Sequence, residues 1–516
     1  MRRPASIAPA LGVAVLLSAC SLGSGGQAPD GGPPTTLPEP TTSAAPEEPA
    51  TDPVLARFYE QEPAWESCGE GVECTEVTVP VDWDAPDGET LDLAVVRRPA
   101  EGEPVGSLVM NPGGPGASGV DYVADHGVSA TTRTLREAYD LVGFDPRGVG
   151  DSEPVDCLDD AELDAFLSLD VDPTTPEGLA EMRSVAADFA AGCAEDAGGL
   201  LGNVDTPSAA RDMDVLRAVL GEEHLDYLGK SYGTLLGATY ADLFPQRVGR
   251  MVLDGALDPA LSYVEISIGQ AAGMERALTA YVTDCLERRG CPLRGDVEDG
   301  LAQVRSMLGS VEERPLRTDD PDRPLTTSLA FYGLVAPLYD DASWPALDEA
   351  LELALAGDGS GLLRIADLYA NREEDGTYGS NLLEVFNAVN CLDYPVDASP
   401  KAMADVAERL EAASPTFGSA LAYGEVLCGA WPVGPVREPA PLDAAGAPPV
   451  LVVGTTGDPA TPYEWAEALA SQLDATRLLT WEGEGHTAYM RGSVCVDAAV
   501  DAYLVDGVLP GVGATC

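Results

Sequence analysis

Three side chains in this sequence have the types and spacing for covalent chemistry: Ser231, Asp458 and His486. A serine hydroxyl attacks only when a base takes its proton, and the base needs a carboxylate to fix its tautomer and stabilise the imidazolium. Ser231 lies in Gly229-Lys230-Ser231-Tyr232-Gly233, which fits the G-x-S-x-G pattern of a nucleophile elbow. The apolar run Leu225, Tyr227 and Leu228 breaks at Gly229, and a Gly/Ala-rich helical stretch starts after the serine. A tight strand-to-helix turn would hold the hydroxyl strained and exposed, with glycines where strand and helix approach. The helix N-terminus beneath it favours developing negative charge. Five residues alone could be a plain turn, so the partners decide.

The chain has three histidines: His126, His224 and His486. His224 opens the strand that ends at Ser231, about 20 Å away at ~3.3 Å per residue. His126 follows a Gly-rich loop on a helix, and nothing aims it at the serine. His486 stands in Glu482-Gly-Glu-Gly-His-Thr, a loop just after a strand, which makes it the expected base. For the acid, Asp458 in Gly457-Asp-Pro-Ala-Thr-Pro462 follows the strand at 450–453 and so sits at the same sheet edge as the elbow. Asp254 also ends a strand and is the rival; a helix-capping role is the alternative for Asp458. The order Ser231, Asp458, His486 is that of α/β-hydrolases. Two N–H groups must meet the oxyanion. Tyr232 should give one, and Asn111-Pro-Gly-Gly-Pro-Gly the other, with Gly114 preferred and Gly113 next. That loop lacks the Gly-Lys-Ser/Thr ending of a phosphate loop.

Strand-like runs at 107–110, 139–144, 225–228 and 250–253 alternate with helical stretches such as 209–220. Such alternation implies a mostly parallel sheet with helices on both faces. From 259 to 440 Ala, Leu and Glu recur at helical spacing without comparable strands, and strand character returns at 449–453 and 477–481. The expectation is an α/β core at 54–258 and 441–516, interrupted by a mainly helical insertion at 259–440.

The formal net charge of −57, with lysine only at positions 230 and 401, leaves no basic surface for phosphates and excludes nucleic acid as a partner. Arg2 and Arg3, the apolar stretch 8–17 and Leu17-Ser-Ala-Cys20 form a signal segment ending in a lipobox-like site. Cys20 is then the expected lipidated residue and membrane anchor. Residues 21–53 are rich in Pro, Gly, Thr, Ser and Glu and are expected to be a disordered tether. Of the eleven cysteines, ten remain beside Cys20. Neighbour pairing is expected: Cys68/Cys74, Cys157/Cys193, Cys285/Cys291, Cys391/Cys428 and Cys495/Cys516. No C-x-x-C occurs, and three histidines make a metal site a poor alternative, so no metal or cofactor is expected.

Four ordered motifs, Asn111-Pro-Gly-Gly-Pro-Gly, Asp145-Pro-Arg-Gly-Val-Gly-Asp-Ser, Gly229-Lys-Ser-Tyr-Gly-Thr and Gly457-Asp-Pro-Ala-Thr-Pro, resemble the actinobacterial tripeptidyl aminopeptidase family. That group belongs to the prolyl-aminopeptidase-like α/β-hydrolases, and the lipobox makes the chain similar to its cell-envelope lipoprotein peptidases and carboxylesterases. The resemblance runs from about residue 55 to the C-terminus. It implies Ser231, Asp458 and His486 as the triad and 259–440 as a cap over the site. Asn111 stands where prolyl aminopeptidases have histidine, so their specificity does not transfer. The expected reaction is removal of short peptides, tripeptides in the first instance, from free N-termini. A carboxylesterase with the same triad is the alternative, and a non-catalytic substrate-binding lipoprotein a distant one. A protonated amine needs acceptors, and Asp393 in Asn387-Ala-Val-Asn-Cys-Leu-Asp393 is the candidate in the cap, with capping of a turn before Pro395 as the other reading.

Overall fold

The computed structural model describes Thr35–Thr36 and residues 53–516. Cys20 and the rest of the 21–52 stretch lie outside the described residues. The strands are β1 (Thr35–Thr36), β2 (Glu66–Gly69), β3 (Val72–Pro80), β4 (Thr90–Arg98), β5 (Gly106–Asn111), β6 (Tyr139–Phe144), β7 (Leu225–Lys230), β8 (Val248–Asp254), β9 (Val450–Gly457), β10 (Thr476–Glu484), β11 (Val508–Leu509) and β12 (Ala514–Thr515). Ten of them form one sheet in the order β12-β10-β9-β8-β7-β5-β6-β4-β3-β2. From β12 to β6 every pairing is parallel, and β4, β3 and β2 close one edge antiparallel. This is the mostly parallel α/β-hydrolase sheet expected from the sequence.

Burial explains the strand sequences. Val450, Leu451, Val452 and Val453 are all buried, because a central parallel strand is covered on both faces. Leu451 and Val453 face one apolar cluster and Val452 the other, following the two-residue period. On the antiparallel side, Leu91 and Leu93 are buried while Thr90 and Asp92 are exposed. The central strands therefore deliver their C-terminal ends, carrying Asn111, Lys230, Asp254 and Gly457, to one edge of the sheet.

Between β8 and β9 the described chain forms only helices and connecting loops, from Tyr263–Glu287 to Glu425–Ala430. The first of these starts with a capping box, Ser262 with Glu265. These helices bury their own apolar cluster, including Leu278, Tyr281, Leu334, Leu347 and Leu362. A second excursion, between β6 and β7, carries the helices Asp160–Leu167 and Pro176–Ala197. It leans on the helices between β8 and β9 rather than on the sheet alone. Ala186 packs with Met403, Tyr423 and Val426, and Asp164 takes a bidentate Arg372 at 2.7 and 2.8 Å. The sequence pattern gave no sign of this, because two amphipathic helices read alike whichever neighbour they cover.

All five disulfides join sequential neighbours, Cys68–Cys74, Cys157–Cys193, Cys285–Cys291, Cys391–Cys428 and Cys495–Cys516, as expected. No helix among the described residues is long and apolar enough to cross a membrane.

Candidate active site

Ser231 follows β7 directly and precedes the helix Tyr232–Leu243, with φ 55° and ψ −124°. That backbone is costly for a residue with a Cβ and persists only where its surroundings hold it. They do so tightly. A Cβ at Gly229 would lie 2.3 Å from the carbonyl oxygen of Gly233, and one at Gly233 would lie 2.7 Å from Oδ1 of Asn111. The Ser231 N–H donates to the Asp254 carbonyl at 3.0 Å, and its own carbonyl accepts from Thr234. Strand, elbow and helix thus interlock through main chain, which is why the motif needs both glycines.

His486 Nδ1 lies 2.9 Å from each carboxylate oxygen of Asp458. Asp458 is 2% exposed, and it also accepts the N–H groups of Ala460, Thr461 and Thr487 at 2.8–3.1 Å. The Thr461 hydroxyl donates to Asp458 at 3.1 Å and stands 3.3 Å from Nδ1 of His486. Four donors besides the imidazole therefore fix the carboxylate in place. Thr461 was not singled out from the sequence, although it sits inside the quoted Gly-Asp-Pro-Ala-Thr-Pro motif. Nε2 of His486 makes no hydrogen bond among the described residues and is left for another partner. The ring stands over Gly255, where a Cβ would come within 3.3 Å of Cε1. Ser231 donates its N–H to the residue just before that glycine.

The helical segment between β8 and β9 reaches this ring directly. Tyr339 meets it edge-on at 5.3 Å, and the Tyr339 carbonyl accepts the His486 N–H at 2.8 Å. Arg491 donates to the carbonyls of both Tyr339 and His486 at 2.8 Å and pairs with Asp340.

Asp254, the rival acid, is wholly buried and turns to the backbone of the same loop. It accepts from Ala488 and Tyr489 at 2.9 Å, and Lys230 donates to the Tyr489 carbonyl at 3.0 Å. Burial pushes the Asp254 carboxyl upward and the Lys230 ammonium opposes that. His126 and His224 are exposed, and His224 lies at the opposite end of β7 from Ser231.

The Gly-rich loop after β5 presses against the elbow. A Cβ at Gly113 would lie 2.6 Å from the Lys230 carbonyl, 2.9 Å from the Ser231 Cβ and 3.2 Å from the Tyr232 nitrogen. Both Gly113 and Gly114 have φ 105°, a backbone reserved for glycine. Asn111 Oδ1 accepts the Gly113 N–H at 3.0 Å, and Asp145 holds the far end through Ser118 and Val120. Tyr232 belongs to the first helical turn, whose N–H groups have no partner within the helix. The loop backbone at Gly113 and the Tyr232 nitrogen thus meet beside the serine.

Asp393, the candidate amine acceptor, ends the helix Leu382–Asp393 and is 0% exposed. Oδ1 accepts the Thr206 N–H at 3.0 Å and Oδ2 the Thr206 hydroxyl. Burial raises it to about 6, against the opposing pull of Thr206 and Arg437. No group of His, Cys, Asp and Glu that could hold a metal occurs among the described residues.

The family profile described as TAP-like protein matches residues 414–516, which include the loops of Asp458 and His486. The chain is 39% identical to serine protease Hip1 of Mycobacterium tuberculosis, over 86% of this chain and 87% of that one. It is 34% identical to tripeptidyl aminopeptidase of Streptomyces lividans, over 88% and 86% of the two chains. The chain belongs to the tripeptidyl aminopeptidase-like family of α/β-hydrolases. It is a serine hydrolase of that fold. Within the same family it is 40% identical to carboxylesterase B of Mycobacterium tuberculosis, over 88% and 89% of the two chains.

Proposed function

We propose that this serine hydrolase is an exported, lipid-anchored exopeptidase that removes short peptides, tripeptides in the first instance, from free N-termini. The observation that carries the reading is the 2.9 Å pairing of Asp458 with His486 at the sheet edge where Ser231 occupies its strained turn. Ser231 attacks the scissile carbonyl while Nε2 of His486 takes its proton. Asp458 holds Nδ1–H and stabilises the imidazolium, and the Tyr232 and Gly114 N–H groups receive the oxyanion. His486 then returns the proton to the leaving amine, and a water repeats the cycle on the acyl-enzyme. The chemistry uses no metal or cofactor. The similarity to tripeptidyl aminopeptidase supports the peptide substrate, five disulfides support an oxidising compartment, and Cys20 with the tether supports the anchor.

The second reading is a carboxylesterase using the same triad, favoured by the 40% identity to carboxylesterase B. A fluorophosphonate probe should label the wild-type protein at Ser231 and leave Ser231→Ala unlabelled. Labelling of the variant would remove Ser231 from the reaction. Peptidase and esterase then separate on whether a free amine is required.

A further inference from the structure

We propose that the cap helix Leu382–Asp393 is a strut that positions both halves of the oxyanion hole, with Asp393 as a positioning residue acting on Tyr232 through Thr206. The inference rests on the assignment of Ser231 as nucleophile and on the Tyr232 and Gly-rich-loop N–H groups as oxyanion donors.

The C-terminal end of the helix carries a directed chain of hydrogen bonds. A carboxylate only accepts, so the Thr206 hydroxyl gives its one proton to Asp393. The Thr206 oxygen lies 2.6 Å from the Tyr232 hydroxyl and must accept there, which leaves Tyr232 as donor. Burial pushes the Tyr232 hydroxyl well above its ordinary range and keeps the proton on it. The chain therefore runs one way, from Tyr232 through Thr206 to Asp393, and all three residues are buried. Its free end is the side chain of the residue whose N–H faces the reacting oxygen. The Cys391–Cys428 disulfide ties down the last turn of the strut two residues before Asp393.

The other end of the helix supports the opposing loop. A Cβ at Gly116 would meet the Leu382 carbonyl at 2.5 Å and the Val385 Cβ at 3.1 Å, so the first turn lies directly against the chain that follows Gly114. This end is fastened independently. Asn381 donates to the carbonyls of Gly148 and Val155 at 2.9 and 3.2 Å and accepts from Gly150 at 3.1 Å. Glu384 accepts the N–H groups of Cys157 and Leu158 at 2.6 and 3.1 Å. Twelve helical residues span about 18 Å at 1.5 Å each, enough to reach from one donor's support to the other's. Donors must sit where the oxyanion forms, and small displacements there cost rate rather than substrate affinity.

The test uses p-nitrophenyl butyrate as substrate and butylboronic acid as a tetrahedral-adduct mimic, neither of which depends on peptide specificity. Thr206→Val, Tyr232→Phe and Asp393→Asn should each lower kcat, about 10- to 100-fold for the valine variant, with KM within about twofold of wild type. The boronate inhibition constant should rise by the same factor as kcat falls. Thr206→Ser, which retains the hydroxyl, should recover most of what Thr206→Val loses. If kcat and boronate affinity stay within about twofold of wild type in all three variants while the melting temperature falls, the contacts serve stability alone and the proposal is overturned. A rise in KM at constant kcat would also overturn it, by making Asp393 a substrate contact. Tyr232→Phe preserves the ring packing, so a folding failure of Asp393→Asn does not remove the test. Failure of the Ser231 assignment would show separately, as fluorophosphonate labelling that survives Ser231→Ala.

Discussion

The buried carboxylate of Asp254 accepts the N–H of Tyr489 at 2.9 Å, three residues beyond His486. The same residue's carbonyl accepts the Ser231 N–H at 3.0 Å, so Asp254 joins the elbow to the loop of the base. Thr487 and Met490 both have φ 65°, which shows that this loop needs such support. Asp254→Asn should lower kcat by about tenfold, because the amide keeps one acceptor and touches only backbone. Asp458→Asn should lower it by ~10³ to 10⁴, because it upsets the imidazole tautomer itself. Steady-state kinetics on both variants would check this, and a larger loss from Asp254→Asn would reverse the two assignments.

Ser231→Ala and His486→Ala should each lower kcat by several orders of magnitude, and the double variant should be hardly worse than either, since triad members act as a unit. His224→Ala and His126→Ala should leave kcat within about twofold, because both residues are exposed and His224 lies at the far end of β7 from Ser231. Inactivation by either of the latter would contradict the topology of the site.

How much of this was legible follows from what each residue must do. The elbow is written in its glycines, because a Cβ at Gly229 would meet the Gly233 carbonyl and one at Gly233 would meet Asn111. The sheet is written in continuous apolar runs, and the disulfides in the spacing of neighbouring cysteines. Asp458 and His486 were legible because each follows a strand, and the ends of parallel strands share an edge. Asp393 was expected from the sequence as an acceptor for the substrate amine; that both its oxygens turn to Thr206 was not legible. Helical spacing tells which face is buried, not that Thr206, from a segment 187 residues earlier, lies against it. The alliance of the 160–197 helices with the helices between β8 and β9 was hidden for the same reason.

Burial pushes Glu384 up to about 7, with the N–H groups of Cys157 and Leu158 opposing and the charges of Asp156 and Asp196 adding to the rise. A carboxyl raised in the folded state binds its proton more tightly there. Its contribution to stability is full below the ordinary value of 4.5 and is lost as pH rises through about 7. Glu384→Gln keeps an acceptor for the two N–H groups and removes the charge. It should flatten the fall in melting temperature between pH 4.5 and 7 and stabilise the protein at pH 8, by at most about 3 kcal/mol. An unchanged pH profile would remove Glu384 as its source.

Lipidation holds a chain at a membrane through about 0.8 kcal/mol per buried methylene. Metabolic labelling with a fatty-acid analogue should mark the wild-type protein and not Cys20→Ser, and the variant should be released from the membrane fraction. A wild-type protein that incorporates no lipid would make the chain simply secreted.

Under the proposed function, a free N-terminus is part of what the enzyme recognises. A site built to accept an ammonium group leaves its acceptors unpaired when that amine is acylated, a loss far greater than that of a methylene. The most direct measurement compares kcat/KM for a free-amine tripeptide p-nitroanilide with that for its N-acetylated twin. An exopeptidase should cleave the free-amine substrate at least about 100-fold faster. Equal values for the two, together with brisk hydrolysis of simple acyl esters, would contradict it and leave the carboxylesterase.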